Sequence, residues 1–174
     1  MVRDNRHESA YFFGAICPDR AVGAAIIMPH VNAEAMSEHL AEISTQVAPG
    51  AHAPLLCDGA GWHQTGGSLR VPDNITQLPF PPCPPELNCM ENVWHYLREK
   101  TLCAMVWDSY DAIVEACVTA WHFLTNDPDR LRSIGCANGH MSVSERVGII
   151  LRRVVGSSPD QATRTRNFGI AQLS

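Results

Sequence analysis

The sequence predicts a mixed α/β domain, on three observations. Two short apolar runs flank a Pro-Asp-Arg turn, an amphipathic helix and a strand-length run ending at Asp58 follow, and the later half returns to helical periodicity. With 174 residues, 45% of them apolar, the chain is long enough for one globular core.

Residues 9–17 (SAYFFGAIC) and 21–29 (AVGAAIIMP) are nearly uninterrupted apolar stretches around Pro18-Asp19-Arg20, which predicts a β-hairpin. Asn32 suits a helix N-cap, and Ala35, Met36, His39, Leu40 and Ile43 recur at helical spacing up to about Gln46, before Pro49-Gly50 breaks the pattern. His52 to Cys57 has strand length and stops at Asp58, placing that carboxylate at the C-terminal lip of a strand. Asn74 to Pro79 reads as another short strand, with Asp73 as a turn residue, and the proline-dense PFPPCPPELN after it cannot be helical. Helices are then expected from Glu91 to about Thr101, from Ser109 to Thr125, and over Asp127 to Ile134. Past Gly135 one apolar run gives way to a polar tail of poor periodicity, a different compositional segment.

Composition narrows the function classes. The longest apolar stretches, such as Ala24 to Met28 and Gly148 to Leu151, are far shorter than the roughly 20 residues that span a bilayer. No signal-peptide pattern opens the chain, so the reading is cytoplasmic with no membrane partner. The seven cysteines are scattered without a CxxC pair, which suits reduced thiols better than a disulfide framework or a zinc site. A net charge of −5 argues against strong nucleic-acid binding by this piece alone, although a mildly acidic nuclease domain can work beside a separate basic one. No nucleotide-binding glycine motif or nucleophile elbow is present.

Two-metal phosphodiester cleavage needs carboxylates that converge on divalent ions, and Asp58 at a strand end with Glu91 opening a helix supplies two. Capping and the helix dipole give both positions ordinary local explanations as well. Context goes further. LLCDGAGWH, NITQLPFPPCPPELNCMENVWHYLR and DAIVEACVTAW together resemble the DDE transposases of the Tc/mariner superfamily, in the bacterial branch called insertion sequence six-thirty. In that family a strand delivers an Asp followed by a small-residue turn and His, and a loop of the form LPPYSPELNPxENxW delivers the acidic residue. The resemblance spans about residues 2–135 and assigns Asp58 and Glu91 to metal binding and catalysis, with His63 and Asn88 as secondary candidates. Cys83, Pro84 and Cys89 depart from the family pattern without removing a carboxylate. Trp94 reads as a core anchor, and Arg98 and Lys100 as a solvated face rather than a DNA contact.

The resemblance implies an RNase H-like sheet ordered 3-2-1-4-5, Mg²⁺ or Mn²⁺ as cofactor, and DNA element ends as partner. It also implies a first catalytic Asp on strand one. The opening VRDNRHESAYFFGA matches the segment just before the family's second strand, so the expectation is an N-terminally truncated domain that lacks the first central strand, with Asp4 out of place for that Asp. Residues 1–135 are then a partial DDE endonuclease domain, and 136–174 a frameshifted or non-native tail. Such a chain is expected to leave strands two and four unpaired, to be of low stability, and to be inactive alone. Alternatives are one half of a split-frame transposase, and a non-catalytic protein that binds full-length transposase or a second copy of itself.

Overall fold

A computed structural model describes residues 9–57, 67–79, 89–103, 107, 109–136, 147–155 and 166–168. β1 (Ser9–Cys17) and β2 (Val22–Met28) form the expected antiparallel hairpin, in register from Tyr11↔Met28 to Cys17↔Val22. Its turn closes through the Ala21 N–H donating to the Pro18 carbonyl at 3.0 Å. α1 (Ala33–Gln46) begins where Asn32 caps it, Oδ1 accepting from the Ala35 N–H at 2.8 Å. β3 (Ala53–Cys57) and β4 (Ile75–Pro79) pair in parallel. Asp73 lies in the turn before β4, and β4 is an edge strand, where Pro79 removes no ladder bond.

Three helices follow among the described residues. α2 (Cys89–Lys100) starts two residues earlier than Glu91; α3 (Tyr110–Thr125) is capped by Ser109, whose Oγ accepts from the Ala112 N–H at 3.2 Å. α4 (Pro128–Cys136) opens on a proline at the first helical position, where a missing N–H costs nothing, and Asp127 Oδ1 accepts from the Arg130 N–H at 3.0 Å. No helix among the described residues is long and apolar enough to cross a membrane.

Among the described residues two further strands, β5 (Val147–Val155) and β6 (Arg166–Phe168), lie in the segment read as a tail. The sheet runs β4-β3-β5-β1-β2-β6, with β5 antiparallel to β1 and parallel to β3. The expected unpaired edges of β1 and β3 are therefore covered by β5. The signal was available: Val147, Ile149, Ile150, Val154 and Val155 are β-branched, a composition that favours a strand over the irregular tail expected there.

Helices cover both faces of the sheet. Ala10, Phe12 and Ile16 of β1 pack with Met90, Val93, Trp94, Leu97, Trp121 and Leu131, while Phe13 and Ala15 face Met36, Leu40 and Ile43 of α1 together with Leu55, Cys57 and Ile75. A strand buried on both sides cannot alternate apolar with polar residues, which is why β1 reads as a continuous apolar run.

Candidate functional site

α2 carries Glu91 in its first turn. Its buried residues, Met90, Val93, Trp94 and Leu97, recur at the spacing of one helical stripe, and that stripe lies on β1. The Trp94 ring meets Phe12 edge-on at 5.0 Å between centroids, and Trp121 of α3 meets the same Phe12 at 5.7 Å. Trp94 is thus the core anchor that the sequence suggests, and Arg98 and Lys100 are exposed.

Gly14 sets how close the helix comes. A Cβ at that position would stand 3.0 Å from Met90 Cε and 3.1 Å from Trp94 Cη2, tighter than ordinary contact, so the bare strand is what admits the first turn of α2. The far side of that turn is held by Asn92, whose Nδ2 donates to the Ile134 carbonyl of α4 at 3.3 Å. The backbone bearing Glu91 is therefore fixed between the middle of β1 and the end of α4. Sequence reading passed over Gly14, although a glycine inside the apolar run SAYFFGAIC marks a close backbone approach.

β3 provides the other approach. Leu55 and Cys57 are buried in the α1-side cluster, with Gln77 Nε2 placed 3.8 Å from Cys57 Sγ, so the strand is anchored up to its last residue. Asp58 is next in sequence and lies outside the described residues, as do His63 and Asn88.

The register of β5 relates the two approaches. Ile149 pairs with Cys57 at the end of β3, and Ile150 pairs with Gly14 beneath α2. β1 and β3 stand two strand spacings apart, about 10 Å, so the exit of β3 and the first turn of α2 address the same stretch of sheet. β5 lies between them, and its sequence VGIILRRVV contains no carboxylate. Among the described residues no group of three or more His, Cys, Asp and Glu is arranged to hold a metal ion. Of the two expected carboxylates, Glu91 is the one described.

Elsewhere, burial pushes the Cys117 thiol of α3 up to about 12 and raises the Glu42 carboxyl of α1. Neither group belongs to the α2 first turn or to β3.

The profile of the DDE superfamily endonuclease family matches residues 2–113, a span that contains both Asp58 and Glu91. The chain belongs to this family. DDE endonucleases generally act on DNA and use divalent metals, in DNA cleavage of the transposase kind. The match ends within α3, so β5 lies outside it. The uncharacterized protein y4pE/y4sA of Sinorhizobium fredii (strain NBRC 101917 / NGR234) is 49% identical over 126 residues, which cover 72% of this chain and 93% of that relative. No solved structure matches the DDE chain.

Proposed function

We propose that this chain carries part of a metal-dependent DNA cleavage and strand-transfer site of the insertion sequence six-thirty type, and that by itself it does not complete the reaction. The carrying observation is the convergence just described, with Glu91 in the turn that Gly14 admits to the sheet and β3 leading into Asp58. The fold supports an RNase H-like reading. The order β2-β1-β5-β3-β4 follows the family's 3-2-1-4-5, with β5 in the place of strand one.

In this reading Asp58 and Glu91 hold Mg²⁺ or Mn²⁺, with His63 and Asn88 close to the loop that aims them. Bound metal would supply charge stabilisation to the scissile phosphodiester and activation of the attacking water or 3′-hydroxyl. The protein's own contribution is to fix the two carboxylates relative to each other. Two carboxylates leave a pair of dications under-neutralised, and the central strand VGIILRRVV, which stands where the family order has strand one, contains no carboxylate. Residues 1–135 thus supply the catalytic-domain part and 136–174 an added segment, with DNA element ends as the ancestral partner.

The test is Mn²⁺ titration calorimetry on the wild type, Asp58→Ala, Glu91→Ala and Ile150→Asp, with a strand-joining assay on DNA. Weak Mn²⁺ binding is expected in the wild type, lost in both alanine variants, with no joining. Ile150→Asp, the register partner of Gly14, is expected to raise Mn²⁺ affinity at least tenfold. Mn²⁺ binding indifferent to both alanine substitutions sinks the proposal.

A second reading, a non-catalytic protein that binds full-length transposase, gains support from β5, which gives the sheet a centre without giving the site an acid. Co-purification with the full-length enzyme, unaltered by Asp58→Ala, separates it from catalysis.

A further inference from the structure

The α1 face of the sheet steps down in side-chain size towards the hairpin turn. Its successive cross-strand pairs are Phe13↔Ile26, Ala15↔Ala24 and Cys17↔Val22, since positions two apart on a strand share a face and the first two pairs belong to the cluster under α1. α1 does not follow the sheet down. It stops at Val47, whose N–H donates to the Ser44 carbonyl at 3.3 Å. The chain then swings outward through exposed residues 48–52, with Gly50 at φ +77° and the Ala51 N–H donating to the Ala48 carbonyl at 2.9 Å. It rejoins the sheet at Ala53 as β3.

Small residues beneath a helix end that turns away leave a cavity of about 560 Å³, counting its open mouth. Recesses of this order, about 300–1,000 Å³, hold small molecules. Ala15, Cys17, Val22 and Ala24 line it from the sheet, and Ile43 and Val47 from α1. Two basic side chains at exposed positions complete the lining, Arg20 from the hairpin turn and His52 ahead of β3, and among the described residues no Asp or Glu lines it. His52 is held in place, its Nε2 lying 2.7 Å from Thr76 Oγ1 of β4. The last carbonyls of α1 carry partial negative charge, so the place for an anion is the rim at Arg20 and His52 and not the helix end. An apolar body gains by leaving water for the alanine and valine floor, and a carboxylate gains charge-assisted, bidentate hydrogen bonds from a guanidinium.

We propose that this recess is a binding site for a small amphiphilic carboxylate, with an aryl or short alkyl body on Ala15 and Ala24 and its anionic end against Arg20. The recess lies on the sheet face opposite α2 and is lined by the first residues of β3, at the other end of that strand from Asp58. It is therefore separate from the candidate metal site, and the inference holds whether or not the chain binds metal or DNA.

The experiment is a methyl-detected NMR titration of the full chain with phenylacetate, and with phenylethanol as an uncharged counterpart of similar size. Phenylacetate is expected to bind at one per chain and to shift the methyls of Ala15, Val22 and Ala24, while Ile113 and Val114, in the cluster on the other face, stay unmoved. Arg20→Gln is expected to weaken phenylacetate roughly tenfold and to leave phenylethanol unchanged. Ala24→Leu fills the recess and is expected to abolish binding of both, with a melting temperature unchanged or raised, because the added carbons enter empty space and not a packed core. Absence of phenylacetate binding in the wild type, shifts centred elsewhere, or an affinity for the acid that equals that for the alcohol and ignores Arg20→Gln overturns the proposal. A lowered melting temperature or loss of folding in Ala24→Leu would mean that the floor is already packed, and overturns it equally.

Discussion

Replacing Gly14 by alanine tests the contact on which the placement of Glu91 rests. The new methyl would stand 3.0 Å from Met90 Cε, 3.1 Å from Trp94 Cη2 and 3.3 Å from Trp94 Cζ2, against an ordinary contact of 3.4–4 Å. The Met90 methyl ends a flexible side chain and can swing away. The Trp94 ring cannot do so as readily, because it is wedged against Phe12 at 5.0 Å. Overpacking of this kind costs about 1–3 kcal/mol, and the loss of glycine's freedom in the unfolded chain returns about 0.4–1 kcal/mol. The net expectation is a destabilisation of about 1–2 kcal/mol, or a fall in melting temperature of roughly 2–8 °C for a domain of this size. Urea denaturation of Gly14→Ala, Met90→Ala and the double variant measures it. Met90→Ala alone should cost about 2–5 kcal/mol through its cavity, and the double variant should fall short of the sum by about 0.5–1 kcal/mol because the cavity accepts the methyl. A Gly14→Ala chain within about 0.5 kcal/mol of wild type, or strict additivity in the cycle, would refute the idea that Gly14 sets the height of α2.

Asn74 joins the C-terminal end of α1 to the start of β4: Ser44 Oγ donates to its Oδ1 at 2.7 Å, and its Nδ2 donates to the Ser44 carbonyl at 3.2 Å. Asn74→Ala is expected to cost about 1–3 kcal/mol in chemical denaturation, and a neutral result would show that water replaces both bonds. Burial holds the Cys117 thiol protonated, with its pKa raised from 9.0 to about 12, so the folded chain keeps a proton that the unfolded chain gives up. The stabilisation is complete below about pH 9 and declines as pH rises towards 12, by about 1.4 kcal/mol at pH 10. Comparing Cys117→Ala with the parent at pH 8 and pH 10 isolates it, since equal losses in the two chains exclude Cys117 as the source. The same burial predicts that iodoacetamide at pH 8 labels the exposed Cys103 in the native chain and reaches Cys117 only on unfolding.

Local chemistry made most of the fold legible in the sequence. Asn32, Ser109 and the Asp127-Pro128 pair announce their helix starts because capping depends on one or two adjacent residues, and the structure keeps all three. The hairpin ends fall within a residue of the turn chemistry for the same reason. The β-branched run of β5 was readable as a strand, but its place in the sheet was not: the Val154–Ala10 pairing joins residues 144 positions apart, which no window along the chain detects. At the candidate site the motif around Glu91 was readable, since ELNCMENVW is contiguous, whereas the role of Gly14 depends on a helix that arrives some 75 residues later. Asp58, His63 and Asn88 rest on sequence alone, because they fall outside the described residues.

If the proposed function holds, the arrangement around β5 separates two contributions that the central strand of such a site would make at once. One is backbone pairing, which is indifferent to side-chain charge: any extended β-branched segment of the right length satisfies the β1 and β3 edges, and VGIILRRVV does so. The other, in that reading, is a carboxylate beside the metal, for which the residue type is decisive and which VGIILRRVV does not contain. Expecting low stability from a missing strand treats the two as lost together. If they are separate, the chain should melt cooperatively while failing to join DNA, and circular dichroism with a strand-joining assay on one preparation distinguishes the cases. A broad, non-cooperative melt would mean that β5 does not replace the pairing; strand joining by the wild-type chain would mean that a third acid reaches the metal by another route.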